Sequence, residues 1–294
     1  MYMEEIHFII NPHAGTQQKR SIVQLIEQQA NSMPYSPHII FTREAGEATA
    51  LARLSVERGV QRVVAVGGDG TINEVAQALV GTNTALGIIP AGSGNGLARH
   101  LHIPQDTRKA LHIALHASPQ LIDTAVVNDI PYFCSCGVGF DALISWKFAQ
   151  RDKRGFNTYV DEVLKNIQTY KPESYTLKID GKTIERNAFI IAINNASQYG
   201  NNAFIAPQAS CSDGLLDVTI VLPFQIQDLP ALALQLFNKT LAQNHRVEIY
   251  RARSIQISRQ KESPIHIDGE ARIMPDIINC EILPDSLLVL RKSK

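Results

Sequence analysis

The feature that most limits how this chain can fold is an apolar strand that stops at a cluster of glycines. Val63-Val64-Ala65-Val66 reads as a buried strand, Gly67-Gly68-Asp69-Gly70 breaks it, and Ile72, Val75, Ala76 and Leu79 then recur at helical spacing. The spacing predicts a strand, a glycine turn and a helix N-terminus, with Thr71 as the expected cap. Such a turn can set bare backbone N–H groups against phosphate oxygens, because glycine permits close approach and unusual torsions.

The same design recurs twice. A strand at 6–10 runs into Asn11-Pro12-His13-Ala14-Gly15, and one at 85–89 runs into Pro90-Ala91-Gly92-Ser93-Gly94-Asn95-Gly96. Helices are expected around Ile22, Val23 and Ile26, over 47–58, and over 106–117, with a short strand at 37–42. Alternating strands and helices predict a parallel sheet with helices on both faces, and ligands in such sheets sit at the carboxyl ends of the strands.

After Leu121 the rhythm changes. Strands are expected at 121–127, 132–136, 175–179, 184–194, 216–222, 246–258 and 265–267, with helices at 157–170 and 229–241. Asn128-Asp129 and Asp180-Gly181 read as hairpin turns. The expected architecture is α/β: an N-terminal parallel-sheet nucleotide-binding domain over 1–124, which segment 284–294 could complete, and a mainly antiparallel, β-sandwich-like acceptor domain over 125–283.

Composition narrows the partners. Among 294 residues, Lys plus Arg is 28 and Asp plus Glu is 28, so the chain lacks the basic excess of nucleic-acid binders and no nucleic-acid partner is expected. No apolar run reaches transmembrane length. The acidic start Met1-Tyr2-Met3-Glu4-Glu5 lacks the basic region of a signal peptide, and Cys134, Cys136, Cys211 and Cys280 show no zinc spacing and read as reduced structural cysteines. A cytoplasmic location is expected.

Taken singly, each glycine loop also reads as an ordinary turn; three at successive strand ends point to one shared phosphate cradle. None is the Gly-x-x-x-x-Gly-Lys-Ser/Thr loop or a clean Gly-x-Gly-x-x-Gly. Asp69 would repel phosphate unless a cation such as magnesium bridges them. Glu270, after Asp268-Gly269, is placed by its turn to take a hydroxyl proton, though locally it also reads as a solvated carboxylate. Asp268 could orient that base or a metal-bound water, and His266 reads as a packing or hydrogen-bonding residue. Arg99 reads equally as a phosphate contact and a surface cation. Asp141 reads equally as a substrate-headgroup contact and as a helix cap. Trp146, Phe148 and the run Arg151-Asp152-Lys153-Arg154 read either as a membrane-facing patch or as a solvated loop over ordinary core.

Gly67-Gly68-Asp69-Gly70-Thr71 with Asn73-Glu74, Pro90-Ala91-Gly92-Ser93-Gly94-Asn95, Asn11-Pro12 with Gly15, Asp213-Gly214-Leu215 and Asp268-Gly269-Glu270 together resemble the diacylglycerol kinase catalytic family, most closely its bacterial soluble lipid kinases and the sphingosine kinases. The resemblance covers essentially the whole chain. It implies an ATP- and Mg2+-dependent lipid kinase with ATP in a cleft surrounded by Asn11, Pro12, His13, Ala14, Gly15, Thr42, Gly68, Asp69, Gly70, Thr71, Ile72, Asn73, Glu74 and Ser93. It also implies a structural or regulatory magnesium held by Asp213 and the carbonyls of Ser210 and Leu215, with Glu270 as general base and Asp141 near the lipid acceptor.

Two departures stand out. Thr16-Gln17-Gln18 delay the basic residue Lys19, and Gly46-Glu47-Ala48 stands where the family often has Gly-His-Ala. The implied partner is a lipid at a membrane surface, met by peripheral and transient contact; a homodimer is also compatible. An NAD kinase would use the same first glycine motif, and a lipid- or nucleotide-binding regulatory protein without turnover is the non-enzymatic alternative.

Overall fold

The computed structural model describes residues 4–15, 19–30, 35–151 and 156–292. Thr16-Gln17-Gln18 and Asp152-Lys153-Arg154 lie outside them. The chain divides into two units, Met1–Asp123 with Pro284–Lys294, and Thr124–Leu283.

In the first unit the strands lie in the order Tyr35–Phe41, Glu4–Ile10, Arg62–Gly67 and Ala85–Pro90, followed by the end of the strand Ile277–Leu290, all parallel. Ile6, Phe8, Ile9, Ile10, Val63, Val64, Ala65 and Val66 are all inaccessible to solvent. Unbroken apolar runs are what a parallel sheet covered on both faces requires, because successive side chains point to opposite faces and both are dry. Helices Lys19–Ala30, Glu47–Glu57, Asp69–Leu79 and Thr107–His116 follow the strands. The last of these is capped by Asp106, whose side chain accepts from the Lys109 N–H at 2.9 Å.

The second unit contains two antiparallel sheets. One has the order Val247–Ala252, Leu216–Val221, Ile190–Asn194, Ser135–Gly139, Ser263–Ile267 and Glu270–Met274. In the other, Ser254–Ser258 lies between Glu173–Ile179 and the start of Ile277–Leu290, and Lys182–Ala188 pairs with Glu173–Ile179. One core joins their inner faces, with Val138, Ile191, Ile193, Val218 and Ile265 from the first packed with Leu177, Ile255, Ile257 and Ile278 from the second. The expected fold class, a parallel α/β unit followed by an antiparallel sandwich, is the one observed.

Several element boundaries differ from expectation. The run 184–194 forms two strands, not one: Lys182–Ala188 and Ile190–Asn194 lie in different sheets, divided at Phe189, whose ring stacks on Phe140 at 4.7 Å. The run 246–258 divides in the same way at Arg253, into Val247–Ala252 and Ser254–Ser258. A continuous apolar alternation does not reveal where a strand crosses from one sheet to the other.

The helix expected over 229–241 is Leu229–Phe237, and that expected over 157–170 is Phe156–Asn166. Glu270–Met274 and Ile277–Leu290 are strands that the periodicity did not single out. Asn128-Asp129 and Asp180-Gly181 are the hairpin turns expected, with positive φ at all four residues.

Candidate active site

The three glycine loops of the first unit touch one another. The Asn11 side chain donates to Thr71 Oγ1 at 3.2 Å, linking the first loop to the second. The Gly68 N-cap packs on the third loop so closely that a Cβ on Gly92 would lie 2.7 Å from Gly68 Cα. Gly15, at φ +68°, lies against Ala91: a Cβ there would meet the Ala91 carbonyl oxygen at 2.1 Å. Close approach requires glycine at 92 and 15, and at Gly15 the torsion requires it too.

Helix Asp69–Leu79 starts at Gly68 with no side-chain cap. Thr71, expected to cap it, is buried inside the first turn and accepts from Asn11 instead. Four N–H groups open every helix without intrahelical partners, and an uncapped end presents them to an anion.

Asp69 does something the sequence did not foretell. Its carboxylate accepts the backbone N–H groups of Asn95 at 2.8 Å and Gly96 at 2.7 Å. The side chain expected to need a cation is thus engaged in bracing the third loop. Asn95, in the left-handed region at φ 50°, folds its amide back onto Gly92 N and O at 3.1 and 2.8 Å. Arg99 donates to the Gly94 carbonyl at 2.9 Å and so supports the loop from behind.

Around this cluster, Thr42 is buried and its N–H bonds Ile10 O at 3.0 Å. The His13 N–H bonds Asn11 Oδ1 at 2.9 Å, and that of Ala14 bonds Asn11 O at 3.3 Å. Pro12 is half-buried, and Ser93 is exposed at the tip of its loop. Ile72 puts its side chain in the core, Gly70 is half-buried, and Asn73 accepts from Gln77 at 2.5 Å. The Glu74 carboxylate receives Gly46 N–H at 2.9 Å and Ala48 N–H at 3.1 Å, which caps helix Glu47–Glu57. That bond accounts for Gly46-Glu47-Ala48: the turn is held by a carboxylate from the neighbouring helix.

In the second unit, Asp268 occupies the turn between Ser263–Ile267 and Glu270–Met274 at φ 48°. Its carboxylate accepts three backbone N–H groups, Phe133 and Cys134 at 2.8 Å and Ser135 at 2.9 Å. Each such charge-assisted bond contributes about 1.5–3 kcal/mol, so the turn is tightly held. Glu270 stands two residues beyond it, 56% exposed and 3.8 Å from Arg272.

Asp141 lies inside the first turn of helix Phe140–Ala149, whose N-cap is Gly139. It is buried and accepts from Tyr199 OH at 2.8 Å, with His266 Nε2 at 3.0 Å. Burial, then the Asp141 charge, pushes the Tyr199 phenol well above its ordinary pKa, so it remains a donor. His266 has the hydrogen-bonding role expected. Tyr199 was not among the sequence candidates, because nothing in the sequence links three residues so far apart.

Asp213 accepts the Leu215 N–H at 3.1 Å and is paired with Arg251, while the Ser210 and Ser212 hydroxyls lie 3.3 Å apart. Nearby Asp217 is buried, its Oδ2 makes no hydrogen bond, and Arg251 Nε stands 3.8 Å away. Burial pushes the Asp217 carboxyl up to about 6, with Arg251 opposing the shift. The two carboxylates are oxygen donors of the kind magnesium takes, and Arg251 is the cation beside both.

Both parts of the chain match domains of kinase families. Residues 5–127 match the diacylglycerol kinase catalytic domain, and residues 134–291 match the YegS C-terminal NAD kinase beta sandwich-like domain. The "Probable lipid kinase YegS-like" protein of Klebsiella pneumoniae is 30% identical, over 94% of this chain and 95% of its own. The "Probable lipid kinase YegS" of Salmonella arizonae is 29% identical over 94% and 95%. The crystal structure of a diacylglycerol kinase from Bacillus anthracis str. Sterne matches with TM-score 0.79 at 22% identity, covering 99% of this chain and 98% of that one. This chain belongs to the YegS-type lipid kinase family. Among the described residues, no helix is long and apolar enough to cross a membrane.

Proposed function

We propose that this chain is an ATP- and Mg2+-dependent lipid kinase that moves the γ-phosphoryl group to a hydroxyl of diacylglycerol or a related long-chain alcohol. The observation that carries this reading is the uncapped start of helix Asp69–Leu79 inside the glycine cluster. Loose phosphoryl transfer asks for alignment and charge cancellation, and backbone N–H groups supply both without a side chain. Residues 11–15, Thr42, 68–74 and Ser93 form the ATP site, with Asp69 and Glu74 acting through the loops and helix they brace.

Glu270 takes the proton of the acceptor hydroxyl. Its exposure and the firmly held Asp268 turn suit a base that must meet a substrate from outside. Asp141, fixed by Tyr199 and His266, contacts the acceptor. Asp213 with the Ser210 and Leu215 carbonyls holds a magnesium ion, whose positive charge offsets carboxylate repulsion and steadies the loop. The lipid is reached by peripheral contact at a membrane surface.

The test is transfer of label from γ-labelled ATP to a panel of diacylglycerol, ceramide, sphingoid base and phosphatidylglycerol in mixed micelles, with NAD as a further acceptor. Labelled lipid is the expected product. Label on NAD alone would favour an NAD kinase, and ATP or lipid binding without label would favour a regulatory protein.

A further inference from the structure

Strand Glu4–Ile10 carries a side-chain cluster that phosphoryl transfer does not use. It pairs in parallel with Tyr35–Phe41, and His7 stands opposite His38. Glu5 and His7 are two residues apart, so they share one face of the strand. Glu5 Oε2 lies 3.3 Å from His7 Nε2, and Glu5 Oε1 lies 3.7 Å from His38 Nε2. One ligand atom from each residue can be chosen so that all lie within 4.8 Å of one another.

Burial and an outer partner set this cluster apart from an ordinary polar patch. His7 is buried, and its Nδ1 lies 2.8 Å from Ser55 Oγ, which is itself 2.9 Å from Leu51 O. With the hydroxyl proton on Leu51 O, Ser55 accepts from Nδ1–H and leaves the Nε2 lone pair, 3.3 Å from Glu5 Oε2, for a cation.

We propose that Glu5, His7 and His38 bind a divalent transition-metal ion of the zinc class, through a Glu5 carboxylate oxygen and a ring nitrogen of each histidine. Two imidazoles and one carboxylate are a regular zinc donor set, with water in the fourth position. A ligating histidine nearly always donates its other N–H to an outer partner that fixes the ring, and Ser55 fills that place for His7. Glu5 and His38 lie on the solvent side of the site, 49% and 48% exposed, and leave room for that water.

The ion ties the strand Tyr35–Phe41 to Glu4–Ile10 and, through Ser55, to helix Glu47–Glu57. His7 is three residues upstream of Ile10, about 10 Å along an extended strand. The site is thus distinct from the 11–15 loop, and its role is to fasten the sheet rather than to react.

The test uses the full chain, stripped with chelator. Zn2+ is titrated by calorimetry and Co2+ by its visible absorption, in wild type, Glu5→Gln and His38→Ala. Both substitutions are half-exposed and leave His7 in place, and unchanged circular dichroism checks the fold. The expected result is one tight ion in wild type, bound at least tenfold more weakly in each variant. Long-range 1H–15N spectra should show zinc shifting His7 Nε2, with the ring proton on Nδ1 in the metal-bound state. Equal affinity in the three proteins, or a His7 Nε2 resonance that zinc leaves unmoved, would overturn the site.

Discussion

The Asp69 carboxylate holds the Asn95 backbone N–H at 2.8 Å, so the second glycine loop shapes the third. Asp69→Asn keeps the side-chain volume but loses the charge. It should cost about 1.5–3 kcal/mol, the worth of one charge-assisted bond, and weaken ATP binding as the third loop loosens. Urea denaturation and nucleotide titration measure the two effects. Unaltered stability would mean that the carboxylate does not brace the loop.

Glu270 and Asp268 should separate chemistry from structure. Glu270→Gln removes a base from an exposed site, so stability should stay within about 0.5 kcal/mol while turnover falls about 10²–10⁴-fold with ATP binding retained. Asp268→Ala removes the acceptor of three backbone N–H groups. It should destabilise by about 3 kcal/mol or more and reduce turnover as well. Single-turnover labelling alongside thermal melts distinguishes the pair, and full turnover in Glu270→Gln would remove that residue from the mechanism.

The contact between Gly68 and Gly92 leaves no space for a methyl group. Gly92→Ala should cost about 1–3 kcal/mol from overpacking, and its larger effect should be on ATP affinity, because the loops must part. Gly46→Ala has open space around it but a φ of +87°. It should lose about 1–2 kcal/mol by torsion alone with little change in the ATP Kd. Equal effects of the two substitutions on ATP affinity would argue against a cradle made by loop contact.

Asp141 anchors a buried group of three. Asp141→Ala strips the acceptor from Tyr199 OH and the partner from His266 Nε2. The expected loss is about 3–5 kcal/mol. Tyr199→Phe removes one donor only and should cost about 1 kcal/mol, raising the lipid KM more than it lowers kcat if the carboxylate meets the acceptor headgroup. Lipid-dependent kinetics with ATP saturating would read this split.

Magnesium should raise the melting temperature of the wild type and leave Asp213→Asn unmoved. Differential scanning calorimetry with and without the ion measures this. Equal stabilisation of both proteins would place the ion elsewhere.

What could be read from the sequence was local. The break at Gly67-Gly68-Asp69-Gly70, the parallel unit, the hairpins at Asn128-Asp129 and Asp180-Gly181 and the change to antiparallel pairing all follow from torsional freedom and apolar periodicity, which neighbouring residues set among themselves. The motifs at 67–71, 90–95 and 268–270 also marked the family.

Only the tertiary structure decided what pairs distant residues. It took Asp69 to the backbone of Asn95 and Gly96, joined Asp141 to Tyr199 and His266, divided two apolar runs between sheets at Phe189 and Arg253, and set His38 beside His7. Each of these depends on strand register and sheet assignment. They are settled by packing across the whole unit, and a run of apolar residues carries no record of which partner it will meet.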